Sequence, residues 1–328
     1  MARIVAAFGT SHSTMLFSSA EHWQALFDHV DCKAPINDLE GVPRSYDELL
    51  KTTPPAAAAN LAKDVLAKRH AETEAAMDRL EADIAKAKLD VMIVIGDDQR
   101  EIFKDDLRPA IAVYYGDTIR NAAAPTTPVS DWYLQDQRKR LEDGQDRFYP
   151  CHPALGAHLI GGLSERGFDI TAVKNLTGEQ FEGHAYSFVH RRLMRNGIVP
   201  MVPVFLNTYY PPNQPGPRRC FTLGTAIREL VESFAGDLRV GILASGGLSH
   251  FLVNEALDNQ VVTALRNKDH EALKALPVHM LQTGSSEIRN WITVAAAADG
   301  LKPDWITYVP GYRSRAMTGV GLCFAHWR

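Results

Sequence analysis

Four apolar stretches with strand character end abruptly in side chains that bind metal ions or move protons. Residues 4–8 run into Gly-Thr-Ser-His12, and residues 91–95 run into Gly-Asp97-Asp98-Gln99. Residues 201–206 run into Asn207-Thr-Tyr-Tyr, and residues 240–244 run into Ser-Gly-Gly-Leu-Ser-His250. In an open α/β sheet, ligands bind in the crevice beyond the carboxyl ends of the strands. A chain that places His, Asp, Gln and Asn there repeatedly is assembling one site from distant segments. His12 reads either as a crevice residue or as a hydrogen-bonded loop histidine. Asp97 and Asp98 are adjacent carboxylates, which repel unless cations or donors stabilise them; the other use of such a residue is to cap a helix. The glycines ahead of His250 permit a tight turn and close approach to a ligand. An imidazole held there can give and take a proton near neutral pH. Glu287, in Gly-Ser-Ser-Glu-Ile-Arg-Asn-Trp, reads on its own as a capping carboxylate with Ser285 or Ser286 as N-cap. His184 and His190 lie six residues apart on an expected helix, a spacing that does not put both on one face.

The elements that must position these residues follow from periodicity and punctuation. A long helix is expected over 56–88, from good helix formers and apolar positions at Leu61, Val65, Met77, Leu80 and Ile84. It joins the first two strands as a crossover, which makes them parallel. Further helices are expected over 152–166, 181–195, 220–234, 254–266 and 285–298. Further strands are expected from 108, over 169–174, 199–206 and 239–244, and as a final pair over 305–309 and 320–325. The fold class is α/β: a single domain over 1–328, with a mostly parallel central sheet and helices on both faces. Two polar, irregular stretches occupy about 17–55 and 116–149; the second is too long for a simple connection and reads as a functional lid or an excursion, and one or the other is expected to cover the site.

Composition narrows the function classes. The 328 residues are 45% hydrophobic and 23% charged, as in ordinary globular proteins. A net charge of −4 gives no reason to expect a nucleic-acid partner. No apolar run approaches the ~20 residues of a membrane span, and the first residues carry no secretion-type leader, so a cytoplasmic protein is expected. Cys32, Cys151, Cys220 and Cys323 form no CxxC pair and are expected to be free thiols, mostly buried. No phosphate-binding loop, dinucleotide fingerprint or nucleophile elbow is present.

Taken together, Gly-Thr-Ser-His12, Asn207-Thr-Tyr-Tyr-Pro-Pro through Arg219-Cys-Phe-Thr-Leu-Gly, Ser-Gly-Gly-Leu-Ser-His250 and Gly-Ser-Ser-Glu287 resemble the class III extradiol ring-cleavage dioxygenases. These are the family of the protocatechuate 4,5-dioxygenase beta chain. The length and the Gly-Asp-Asp-Gln block are most similar to its single-chain members acting on gallate or 3-O-methylgallate. The resemblance implies a mononuclear Fe(II) held by two histidines and a glutamate, with positions open for a catecholate and O2. His12 matches the first histidine and Glu287 the glutamate. His250 matches the catalytic histidine beside the metal, and His184 falls near a histidine that contacts substrate. The second metal histidine corresponds to Gln99, so the ligand there is expected to be Gln99, with Asp98 or a histidine from elsewhere as alternatives. Asp98, Asn207, Arg313 and Arg315 are expected to contact substrate, the arginines by gripping a carboxylate. The resemblance also implies a small aromatic substrate with O2, and a homo-oligomer such as a dimer. Against it stands a non-catalytic relative that binds a ligand or partner, supported by the replaced histidine; a zinc hydrolase is a weaker third reading.

Overall fold

The computed structural model describes residues 1–328. In chain order its main elements are β1 (Arg3–Thr10), α1 (Lys63–Ala87), β2 (Val91–Gly96), β3 (Ile111–Tyr114), α2 (Trp132–Arg138) and α3 (Pro153–Glu165). There follow β4 (Ile170–Val173), α4 (His184–Phe188), β5 (Met201–Leu206), α5 (Pro217–Ser233) and β6 (Arg239–Ser245). The chain closes with β7 (His250–Leu252), α6 (Glu255–Asn267), α7 (Ile288–Ala297), β8 (Pro303–Tyr312) and β9 (Thr318–Trp327).

Nine of these strands form one sheet in the order β7-β9-β1-β6-β2-β5-β3-β4, with β8 along the free side of β9. The inner strands β1, β6, β2 and β5 are parallel. β3 runs antiparallel to β5, and β9 antiparallel to β1. The mostly parallel sheet expected from the sequence is therefore present. All six residues of β2 are buried, as a strand covered on both faces requires. Its side chains alternate between two cores. Val91, Ile93 and Ile95 join α3, α5, α6 and α7 on one face, while Met92 and Val94 join α1 and the helix after Gly183 on the other. Three of the four cysteines are buried and all four are free.

Three local features differ from expectation. The helix expected over 56–88 breaks at Ala62 (ψ 139°), leaving a 3-10 turn Pro55–Leu61 ahead of α1. Pro54 and Pro55 fix the backbone there and supply no amide donors. The helix expected over 181–195 begins at His184, because Gly183 takes φ +78°, and it widens into a π-type turn Val189–Leu193. The irregular stretches also carry structure. The first holds helices His22–Leu26 and Tyr46–Thr52, the latter with a Ser45–Glu48 capping box. The second is a hairpin of Thr118–Asn121 with Arg147–Pro150 that carries α2. No helix is long and apolar enough to cross a membrane.

Candidate metal centre

Parallel pairing sets the site at the carboxyl ends of β1, β6 and β2. Thr10 pairs with Ser245, so the residues just past these two strands emerge side by side. His12 Nδ1 lies 3.0 Å from Ser245 Oγ. That hydroxyl donates to the Ala185 carbonyl at 2.7 Å, so it accepts from His12 Nδ1–H. The neutral imidazole then presents a bare Nε2 to the crevice. α4 brings His184 to the same point. Glu101 fixes its ring: the carboxylate accepts from the His184 backbone N–H at 2.9 Å and from Nδ1 at 2.7 Å. His184 Nε2 therefore also faces inward, 3.2 Å from His12 Nε2.

Two carboxylates complete the ring. Glu287 Oε2 is 3.4 Å from His12 Nε2. Asp97 Oδ1 and Oδ2 lie 3.7 Å from His12 Nε2 and 3.8 Å from His184 Nε2. One potential ligand atom from each of His12, Asp97, His184 and Glu287 falls within 4.8 Å of all the others. Asp97 Oδ1 is buried with no hydrogen-bond partner. Two imidazole nitrogens facing each other beside an orphaned carboxylate oxygen, in a buried setting, form a donor set that calls for a cation. The residues present thus fit a mononuclear metal with two histidine and two carboxylate donors. Without a metal, a proton must serve. Burial works against protonated His184, but Glu101 and Asp97 outweigh it and push the imidazole up to about 9. Burial would raise Glu101, yet the adjoining His184 charge outweighs it, with Arg140 adding to the effect, and the carboxyl falls to about 2. Asp97 is raised by burial and then by the Glu287 charge.

His250 stands beside this ring. Its Nδ1 donates to the Leu248 carbonyl at 2.9 Å, which leaves Nε2 facing Glu287 Oε1 at 3.2 Å. The turn that holds it needs its glycines. Gly246 has φ +157°, and a Cβ there would sit 2.8 Å from Glu287 Cβ. Gly284 lies against the ring, where a Cβ would fall 1.9 Å from His250 Cδ2. Behind the turn, Asp258 accepts from the Ser249 backbone N–H at 2.8 Å and from Ser249 Oγ at 2.6 Å.

The ring opens into a cavity of about 400 Å³ lined by His12, Gln99, Glu101, His184, His250 and Glu287. Phe17 and Val30 from the first irregular stretch, and Tyr133, Gln137 and Arg140 from the second, line the same cavity. The two stretches lock together above it: His22 stacks on Trp132 at 4.1 Å and His29 on Tyr133 at 4.5 Å. Lys139 Nζ donates to the Phe17 carbonyl at 2.7 Å.

Of the residues singled out from sequence, His12, His184, His250, Glu287 and Gln99 meet here, but the roles shift. Gln99 turns its amide nitrogen toward Asp97 Oδ2 (3.2 Å) and Glu287 Oε1 (3.4 Å), so it acts as a donor to the carboxylates and does not join the donor ring. Asp98 faces away. Its oxygens accept the backbone N–H groups of Arg100, Ile102 and Phe103, which shapes the loop after β2. Asn207 likewise organises the proline-rich turn, accepting from Tyr210 N–H at 3.0 Å and donating to Asn213 Oδ1 at 2.7 Å. Arg313 lines the cavity but is held by buried Asp31 at 2.7 Å. Arg315 is exposed and does not line the cavity. The acidic Asp-Asp-Gln-Arg-Glu run after β2 marks this segment as a site, but nothing in it assigns Asp97 to the ring or Glu101 to the support of His184.

The fold is thus an α/β sheet with a mixed histidine–carboxylate ring at its strand ends, a donor set able to hold a metal ion. Residues 123–325 match the family described as the catalytic LigB subunit of aromatic ring-opening dioxygenase, and the chain belongs to that family. The gallate dioxygenase of Pseudomonas putida is 44% identical over 115 residues, 33% of this chain and 32% of that protein. That alignment thus spans about a third of the relative's length. His184, His250, Glu287 and Arg313 lie within the family match, whereas His12 and Asp97 precede it.

Proposed function

We propose that the protein is a non-haem Fe(II) extradiol dioxygenase that opens the ring of a catechol- or gallate-type aromatic acid with O2, with gallate, 3-O-methylgallate and protocatechuate as representative substrates. The observation that carries this reading is the 3.2 Å approach of His12 Nε2 to His184 Nε2 beside Glu287 and the orphaned Asp97 oxygen. In this reading His12, His184 and Glu287 hold the ion, with Asp97 as a fourth donor, and His184 supplies the imidazole that position 99 lacks. The bound ion would lower the pKa of the substrate hydroxyls and bring O2 next to the diol.

The chain's own residues do the remaining work. Ser245 and Glu101 hold the two imidazoles in the tautomers that aim Nε2 at the ion. With Glu287 engaged by the metal, His250 Nε2 is free to take a proton from a substrate hydroxyl and return it as the ring opens. General acid–base help of this kind is worth about 10²–10⁴-fold. Phe17, Val30 and Tyr133 offer apolar and aromatic surface to the ring and close the cavity against water, which is the covering role we assign to the two irregular stretches. The non-catalytic alternative drew its support from Gln99, and a second imidazole at the ring removes that support.

The test is anaerobic loading with Fe(II), followed by O2 uptake with gallate, its 3-O-methyl ether and protocatechuate. One O2 consumed per ring opened, lost in His250→Ala, supports the assignment. Bound iron without uptake on any diol refutes it.

A further inference from the structure

An aromatic acid bound through its hydroxyls needs a cation at the far side of the cavity, and two guanidinium groups line it: Arg313 and Arg140. Their surroundings differ. Arg313 is already spent, since its Nη2 donates to Asp31 Oδ1 at 2.7 Å and both side chains are nearly inaccessible. The same Asp31 accepts from Thr318, so the pair ties the first irregular stretch to β9. Arg140 has no such partner. Its nearest carboxylate is Glu101 at 4.0 Å, beyond hydrogen-bond reach. Glu101 in turn has both oxygens occupied by His184. Arg140 Nε is buried with no acceptor at all. Its backbone is fixed by Asn121 Nδ2, which donates to the Arg140 carbonyl at 3.2 Å, so the guanidinium is presented from an ordered base.

We propose that Arg140, contributed by the covering hairpin, is the group that binds the substrate carboxylate and selects aromatic acids over uncharged diols. This rests on the dioxygenase reading above. The planar fork matches a carboxylate bidentately. The open donors of Arg140 supply that fork, with Gln137 and Tyr133 beside it on the same wall. Its origin on the 116–149 stretch links recognition to closure: the acid group engages the cover while the diol engages the metal centre. Position 140 thereby becomes a specificity position that the core of the fold does not constrain.

The experiment measures anaerobic binding of protocatechuate and of 4-methylcatechol, its counterpart without the carboxylate, to the Fe(II)-loaded protein. Steady-state O2 uptake is recorded in parallel. Arg140→Ala is expected to weaken protocatechuate binding about 100-fold and 4-methylcatechol binding less than threefold, with Arg140→Lys intermediate. Arg313→Ala, if it folds, should show no such discrimination. Equal losses on both ligands in Arg140→Ala, or unchanged protocatechuate binding, overturn the assignment. If the wild-type protein oxidises no diol, gallate and 3-O-methylgallate included, the dioxygenase reading itself fails. Oxidation of 4-methylcatechol by the wild type keeps the two failures apart.

Discussion

Glu101 offers the sharpest test of the ligand ring, because it touches His184 twice and no other member of the ring. Its carboxylate receives both the backbone N–H and the ring Nδ1–H of His184, at 2.9 and 2.7 Å. Removing it frees the imidazole to rotate or to adopt the other tautomer, in which Nε2 carries a proton and cannot bind a cation. Loss of such an outer partner costs about 10–100-fold in metal affinity. Glu101→Gln keeps an acceptor oxygen and should lie near the lower figure, about 1.4 kcal/mol; Glu101→Ala keeps none and should lie near the upper, about 2.7 kcal/mol. The assay is titration of metal-free protein with Co(II), read by its ligand-field absorption, with circular dichroism as the check on folding. His12→Ala and His184→Ala provide the reference losses. Should Glu101→Ala bind Co(II) as tightly as wild type, or His184→Ala retain the metal that His12→Ala loses, then His184 is outside the ring and the site must be redrawn around Gln99.

Three other outcomes are expected. Gly284→Ala drives a methyl group into the His250 ring, 1.9 Å from Cδ2 at its ideal position, so kcat should fall about 10²–10⁴-fold while metal content stays at the wild-type level; inductively coupled plasma analysis beside O2 uptake decides it. Arg313→Ala strands the Asp31 carboxylate in the core and should lower the unfolding free energy by about 3–5 kcal/mol, measured by denaturant titration; Arg140→Ala, by contrast, should leave it near wild type. The folded-state pKa of His184 is raised to about 9 from an ordinary 6.5, so its contribution to the metal-free protein is complete below about pH 6.5 and disappears as pH rises through 9. Melting temperatures of metal-free wild type should fall across that window, and those of His184→Ala should fall less; parallel curves would count against the shared proton.

The sequence discloses the framework of the site well and its wiring poorly. Strands β1, β2, β5 and β6 are legible because each is an apolar run stopped by polar residues, and parallel order follows from the crossovers. His12 and His250 follow from those strand ends and from the family motifs, whereas Glu287, which reads alone as a helix cap, follows from the motifs only. The approach of His184 to His12 is not legible, because it depends on Gly183 at φ +78° starting a helix whose first residue aims into the crevice. Helix propensity instead runs that helix from 181, and the family resemblance gives His184 the part of a substrate contact. The fate of Arg313 depends on Asp31, 282 residues away, in a stretch read only as irregular. The same holds for Arg140, whose place in the cavity wall comes from a hairpin that pairs Thr118–Asn121 with Arg147–Pro150.

Arg289 has no carboxylate partner. It lies fully buried on α7 and donates only to carbonyls, those of Pro215, Leu281, Thr208 and Ser286. One guanidinium thus staples the proline-rich turn bearing Tyr209 to the segment bearing Glu287. Grafting either loop alone from a homologue would unseat the other, so attempts to reshape this cavity should transplant the two segments as a unit or confine changes to the covering hairpin.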